Sequence, residues 1–235
     1  MIKEAISYIV GLGNNRVEYI NGQQYSTQDL YLIEEPTSKA IELNSLTGLV
    51  DYIKSNFDTE ETLTVHVESP TSVSLISSLN TDKNRNYLVK AKALLPRISF
   101  GDFMKAESFN IHLQSCFVKN EDRDILLKVV GNIKEESVKN FGDDGVSQSV
   151  IAKAGVSTVA EVKVPNPVSL KPFRTFIEIS QPASEFVFRM QDGPRCGIFE
   201  ADGGAWKLQA MHDIKKYLEE NLTTEIEAKK IFIVA

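Results

Sequence analysis

His66 and Glu68 stand two apart in "TLTVHVESP", and on a strand that spacing puts both on one face. An imidazole beside a carboxylate suits acid–base work or half of a metal site. No second histidine lies near in sequence, however, which favours a surface pair. His112 precedes Cys116 by about one helical turn in "FNIHLQSCF", a spacing that fits a His–Cys half-site or an activated thiol. Phe109 and Leu113 beside them point instead to a helix flank packed into a core. Cys116 and Cys196 form no CxxC pair, so two reduced, buried thiols are expected. Asp143-Asp144-Gly145 lacks the other oxygen ligands of a calcium loop, and no GxSxG, HExxH or kinase-type set occurs. These residues imply no catalytic group, no metal and no cofactor.

A phosphate-cradling loop is the next chemistry to test, because "IFEADGGAWKLQAMHDIKKYL" runs through two glycines towards a helix. Such a loop needs several backbone N–H groups converging on the anion, and "ADGGAWK" fits neither GxGxxG nor GxxxxGK[ST]. Trp206 and Leu208 alternate with Ala205, Lys207 and Gln209 as on a strand. That pattern predicts a hairpin turned by Asp202-Gly203-Gly204, with a helix beginning later and burying Met211, Ile214, Leu218 and Leu222.

Arg174, Glu178, Gln181 and Arg189 are the remaining polar candidates. "PFRTFIEI" reads as a strand with Arg174, Phe176 and Glu178 on one face and Phe173, Thr175, Ile177 and Ile179 on the other. Arg189 falls on the next strand, "EFVFRMQ", where a cross-strand network with Arg174 is expected. A structural surface network is the commoner use of such pairs. The functional alternative is a sheet face that binds an anion or a partner through guanidinium groups beside Phe176.

These side chains need elements to hold them. Ile2, Ala5, Ile6 and Ile9 recur at helical spacing, and Asn21-Gly22 separates two strand-like runs as a hairpin turn does. "LNSLTGLVDYIKSNF" predicts a helix capped near Asn44 or Ser45 that buries Leu46, Leu49, Val50 and Ile53. "TLTVHVESP" and "NRNYLVKAKALLP" predict strands. Asp102 is placed to cap a helix through Phe103, Ala106, Phe109, Leu113, Cys116 and Phe117, and Ile125, Leu126, Val129, Val130 and Ile133 mark another from near Asp122. Residues 135–158 are polar and glycine-containing, read as turns with a short strand or hairpin. "AEVKV", "EFVFRMQ", "RCGIFEA" and a closing "IFIVA" predict further strands, with prolines at their ends. The fold class is therefore α+β: mixed helices and strands first, then a largely antiparallel sheet with a packed helix. Residues 1–98 and 99–235 are the expected regions, as two parts or within a single domain.

At 42% hydrophobic and 25% charged, the 235 residues have globular composition. The net charge of −6 disfavours nucleic acid as a partner, since cationic side chains supply most nonspecific affinity for phosphate. "MIKEAISYIVGLGNN" lacks the long apolar core of a signal peptide, and no stretch approaches the ~20 apolar residues that span a bilayer. A cytoplasmic protein without membrane partners is expected.

The order of "FNIHLQSCF", "DDGVSQSV", "VPNPVSLKPFRTFIEISQPASEFVFR" and "FEADGGAWKLQA" resembles the phage- and prophage-encoded YfdQ-like family of unknown function. The likeness is best over residues 100–222 and covers the first third less clearly. It implies an accessory protein made in the bacterial host, and nominates no active site. Three function classes follow. The first is a non-enzymatic protein that binds a host or phage protein or a small anionic ligand, in counter-defence for instance, with homo-oligomerisation compatible with it. The second is a nucleic-acid accessory protein using strand-borne Phe and Arg. The third, ranked last, is an enzyme with dispersed residues around His112 and Cys116.

Overall fold

The computed structural model describes residues 2–13, 16–20, 23–26, 37–80, 83–131, 141–143, 148–154, 158–164, 166–191 and 195–235. Ile133, Asp144, Gly145, the Asn21-Gly22 turn and much of 135–158 lie outside the described residues. The fold is α+β, as expected from the sequence. Its chain divides into two units, residues 1–37 and 38–235.

In the first unit, α1 (Ile2–Leu12) is the helix expected from the isoleucine spacing. The strands β1 (Val17–Ile20) and β2 (Gln23–Ser26) pair antiparallel, with Ile20 opposite Gln23. Ile2, Ile6 and Ile9 of α1 are exposed.

The second unit holds two hydrophobic cores. One is built on β3 (Ile41–Leu43), α2 (Leu46–Ser55), β4 (Leu63–Ser69), β5 (Ser72–Ile76) and β6 (Tyr87–Lys92). Alternation along β4 sends Leu63, Val65 and Val67 into this core, where Leu46, Leu49, Val50 and Ile53 of α2 meet them. Ser45 caps α2 by accepting the Gly48 N–H at 3.0 Å. Neither β3 nor β5 stood out in the sequence.

The other core begins with β7 (Met104–Lys105), α3 (Ala106–Cys116) and α4 (Glu121–Gly131). Phe109, Leu113, Cys116 and Phe117 are buried as their spacing implied. Asp102, however, caps nothing: α3 starts after Lys105 with no side-chain cap, because residues 104–105 pair with a strand instead. Asn120 performs the equivalent task for α4, its Oδ1 accepting the Arg123 N–H at 3.0 Å. The backbone then forms β8 (Phe141–Asp143), β9 (Gln148–Ala154) and β10 (Thr158–Lys163), a three-stranded antiparallel sheet.

The strands β11 (Val168–Leu170), β12 (Ser184–Gln191) and β13 (Arg195–Glu200) join β7 in the order β11-β12-β13-β7. Gly197 on β13 faces the crossing chain so closely that a Cβ would sit 2.9 Å from the Asp102 carbonyl oxygen. The chain closes with α5 (Trp206–Asn221), α6 (Thr223–Glu227) and β14 (Ile231–Val234). These last elements return to the first core, giving the sheet order β14-β4-β5-β6-β3, with β14 parallel to β4. Ile214, Leu218 and Leu222 pack there beside α2.

The stretch through Asp202-Gly203-Gly204 is not a hairpin. Gly203 and Gly204 have φ of 62° and 82°, and the chain passes through them from β13 directly into α5. Trp206 and Leu208 are therefore helical, and Leu208 is exposed. Apparent strand alternation lost to the i, i+4 row Trp206, Ala210, Ile214, Leu218, which places one stripe along a helix.

Candidate functional site: a pinned loop between two cores

Residues 171–183 connect β11 to β12, whose ends are joined by the pairing of Leu170 with Ser184. The sequence predicts a strand here, and the structure shows none. Arg174, Thr175 and Phe176 are buried consecutively and Ile177 is exposed, a pattern without the period of two. Pro172 and Pro182 sit at either end of the segment. Aromatic and β-branched residues suit a buried loop as well as a strand, which is why composition misled.

Gln181 closes the loop from inside. Its side chain is 7% exposed, and its Oε1 accepts the N–H groups of Arg174 at 2.9 Å and Thr175 at 3.2 Å. Its Nε2 donates to the carbonyls of Phe176 at 3.1 Å and Thr175 at 3.4 Å. One amide thus substitutes for the missing strand partner, satisfying main-chain groups that burial would otherwise leave unpaired.

Arg174 anchors the loop to the second core's sheet. Only 6% exposed, it donates Nη1 to Glu200 Oε1 at 2.9 Å and Nη2 to Ser184 Oγ. Ser184 in turn donates to Asp202, which lies 3.9 Å from the same guanidinium. The guanidinium carbon rests 3.9 Å from the centroid of the Trp206 ring, a cation–π contact that links loop to helix. Burial brings the Arg174 pKa down to about 10, against the opposing pull of Asp202 and Glu200. Burial also raises the Asp202 carboxyl, but hydrogen bonds from Ser184 and the Gly204 N–H, with the Arg174 charge, outweigh it and hold the group below its usual range.

The other side of the loop enters the first core. Phe176 is buried among its residues, and Thr175 Oγ1 donates to the Pro70 carbonyl. Glu178 Oε1 accepts the Leu46 N–H at 2.7 Å and the Thr47 N–H at 3.2 Å, completing the cap that Ser45 begins. A carboxylate at a helix N-terminus also gains from the helix dipole.

The structure therefore brings Arg174, Phe176, Glu178 and Gln181 into one loop, but not onto one sheet face. Arg189 stands apart. It lies on β12 between the buried Phe188 and Met190, on the face opposite Phe186, whose ring Arg174 approaches. The expected network between Arg174 and Arg189 is replaced by pairs with Glu200 and Asp202, two acids that the alternation of β12 alone did not point to.

What these anchors leave outside is Ile177, 82% exposed at the loop's tip. Beside it a pocket of about 270 Å³ is lined by Val118, Lys171, Phe173, Ile179, Ser180 and Gln181. A fixed loop carrying an apolar side chain next to a small mixed pocket can take a protein side chain with little ordering cost.

The remaining candidates are His66, Glu68, His112 and Cys116. Glu68 accepts hydrogen bonds from Ser72 at 2.9 Å and Ser74 at 2.8 Å on the sheet face it shares with His66. Cys116 is buried, its thiol 3.7 Å from the Arg97 carbonyl, while His112 meets the Phe117 ring at 5.7 Å. Burial lowers the His112 pKa and pushes the Cys196 thiol up to about 12, the latter an inert state for a thiol. Among the described residues no group of three or more His, Cys, Asp or Glu is arranged to hold a metal ion, and no helix is long and apolar enough to cross a membrane.

No family model, curated protein or solved structure matches the chain.

Proposed function

We propose that this chain is a non-enzymatic accessory protein of a phage or prophage, made in the bacterial host, that binds a host or phage protein through the tip of the 171–183 loop. The order of motifs over residues 100–222 supports the phage setting. The observation that carries the binding role is Ile177, exposed at the tip of a loop whose flanking residues Phe176 and Glu178 are both pinned elsewhere. Because those neighbours fix the loop, a partner meets the Ile177 side chain already positioned beside the pocket. Arg174 spends its charge on Asp202 and Glu200, so an anionic ligand gains less from it than a protein partner gains from Ile177.

A photo-crosslinking amino acid placed at Ile177 during phage induction tests this reading. One dominant protein adduct is expected, and Ile177→Asp should weaken association with that protein at least tenfold while leaving thermal stability unchanged. Absence of an adduct, or binding indifferent to Ile177→Asp, rejects the site. Retention of the wild-type chain on single-stranded DNA that falls with salt would shift the reading to a nucleic-acid accessory role.

A further inference from the structure

The closing run "IFIV" forms β14, at one end of the five-stranded sheet. The Leu63 N–H donates to the Lys230 carbonyl at 2.9 Å. Alternation in a parallel ladder then turns the main-chain groups of Ile231 and Ile233 away from β4, toward the sheet's edge. Ile231 is buried and Ile233 packs against the first core, whereas Phe232 and Val234 are 55% and 51% exposed. Apart from its shortness, four residues, this strand carries none of the lysine, proline or bulge that blunt natural edges. A groove of about 460 Å³ runs beside it, lined by Glu219, Thr223, Ile226 and Glu227 together with Ile231–Ile233.

We propose that the β14 edge is a second docking surface, which adds an extended segment of a partner protein whose groove-facing side chains, at every second residue, combine apolar residues with lysine or arginine. The main-chain groups turned to the edge supply the ladder, and the groove takes the side chains of every second residue, apolar ones against Ile226 and Ile231 and cations against Glu219 and Glu227. Lys215 approaches Glu219 at 3.9 Å, but with side chains 38% and 50% exposed that pair is partly screened by solvent and can be exchanged. Lys229 and Lys230 precede the strand and do not line the groove. Charge also decides against a second copy of this chain as occupant. Two-fold pairing of β14 presents the same patch from both sides, and would set Glu219 and Glu227 against themselves.

Fluorescence anisotropy with labelled peptides of about eight residues, long enough to form one strand, tests the proposal. The wild-type chain should bind a lysine–valine peptide in which lysine and valine share one strand face, with serine at the positions between, more weakly as salt rises, and ignore its glutamate–valine counterpart. Joint replacement Glu219→Lys and Glu227→Lys should reverse that preference, and Phe232→Lys should weaken the lysine–valine peptide at least tenfold with thermal stability retained. No binding of the lysine–valine peptide at low salt, or binding unchanged by the charge reversal, overturns the proposal. So does a concentration-dependent dimer in sedimentation equilibrium that Phe232→Lys abolishes, which assigns the edge to self-pairing. Ile177→Asp should leave peptide binding untouched, so failure here and failure of the loop-tip reading are separate results.

Discussion

Glu178 accepts the Leu46 N–H at 2.7 Å, so a helix is capped by a carboxylate that arrives 132 residues later in the chain. The same loop sends Phe176 into the first core and Arg174 to the sheet of the second, three successive anchors on two bodies of packing. Residues 171–183 are thus the segment through which the two cores of the second unit are fastened. Side chains that looked available for a ligand are consumed in this fastening, and the part left over is Ile177.

Replacing Glu178 tests the cap. Glu178→Ala leaves the Leu46 and Thr47 N–H groups without their acceptor at the start of α2. A loss of about 1–2 kcal/mol in chemical denaturation is expected, with Glu178→Gln retaining part of it because an amide oxygen still accepts. Equal stability of all three chains would show that the contact contributes nothing.

Arg174 should be less tolerant. Arg174→Ala removes the partner of Asp202 and Glu200 and strips the cation from the Trp206 ring. About 3 kcal/mol of destabilisation is expected, with Arg174→Lys intermediate, since a lysine keeps the charge but not the planar fork. Tryptophan emission gives an independent readout, because Trp206 is the only tryptophan in the chain. An unchanged spectrum in Arg174→Ala would mean that the contact is not made in solution.

Acid should loosen the same node. The Asp202 carboxyl titrates below its ordinary value near 3.9 in the folded chain, so the unfolded chain takes up this proton first. Its contribution is whole above the unfolded value and drains as pH falls through it toward the folded one. The melting temperature of the wild type should therefore drop more between about pH 5 and 3 than that of Asp202→Asn. Glu68, which burial raises but Ser74 and Ser72 pull below normal, titrates in the same window, so the comparison is best made in a Glu68→Gln background.

The first core was the most legible part of the sequence. Leu46, Leu49, Val50 and Ile53 repeat at helical spacing behind a serine, and local chemistry alone places that helix and its cap. The strands β4, β6, β12 and β13 were equally visible as alternating runs. What was hidden depends on distant partners. "PFRTFIEI" alternates like a strand, yet past the single bridge of Pro172 to Phe117 it is Gln181, and no neighbouring strand, that bonds its main chain. Asp202-Gly203-Gly204 suited a hairpin by turn chemistry, and only the row from Trp206 to Leu218 would have signalled a helix start. Arg174 was correctly singled out as unusual, but one sequence could not show that Glu200 and Asp202 stand beside it.

Gln181 offers the sharpest test of how the loop is held. Its amide meets four main-chain groups at once, so Gln181→Leu, similar in size, leaves the Arg174 and Thr175 N–H groups without this acceptor and takes a donor from the Thr175 and Phe176 carbonyls, the latter keeping the Ile179 N–H. A cost of about 3 kcal/mol follows from unpaired buried polar groups rather than from lost volume. Gln181→Glu is more telling, because a carboxylate still accepts from Arg174 and Thr175 but cannot donate to Thr175 and Phe176. Hydrogen exchange at the Arg174 and Thr175 amides should stay slow in Gln181→Glu and accelerate at least tenfold in Gln181→Leu. If both amides remain equally protected in Gln181→Leu, the loop is held by its other anchors, and the side-chain ladder drawn from Gln181 is wrong.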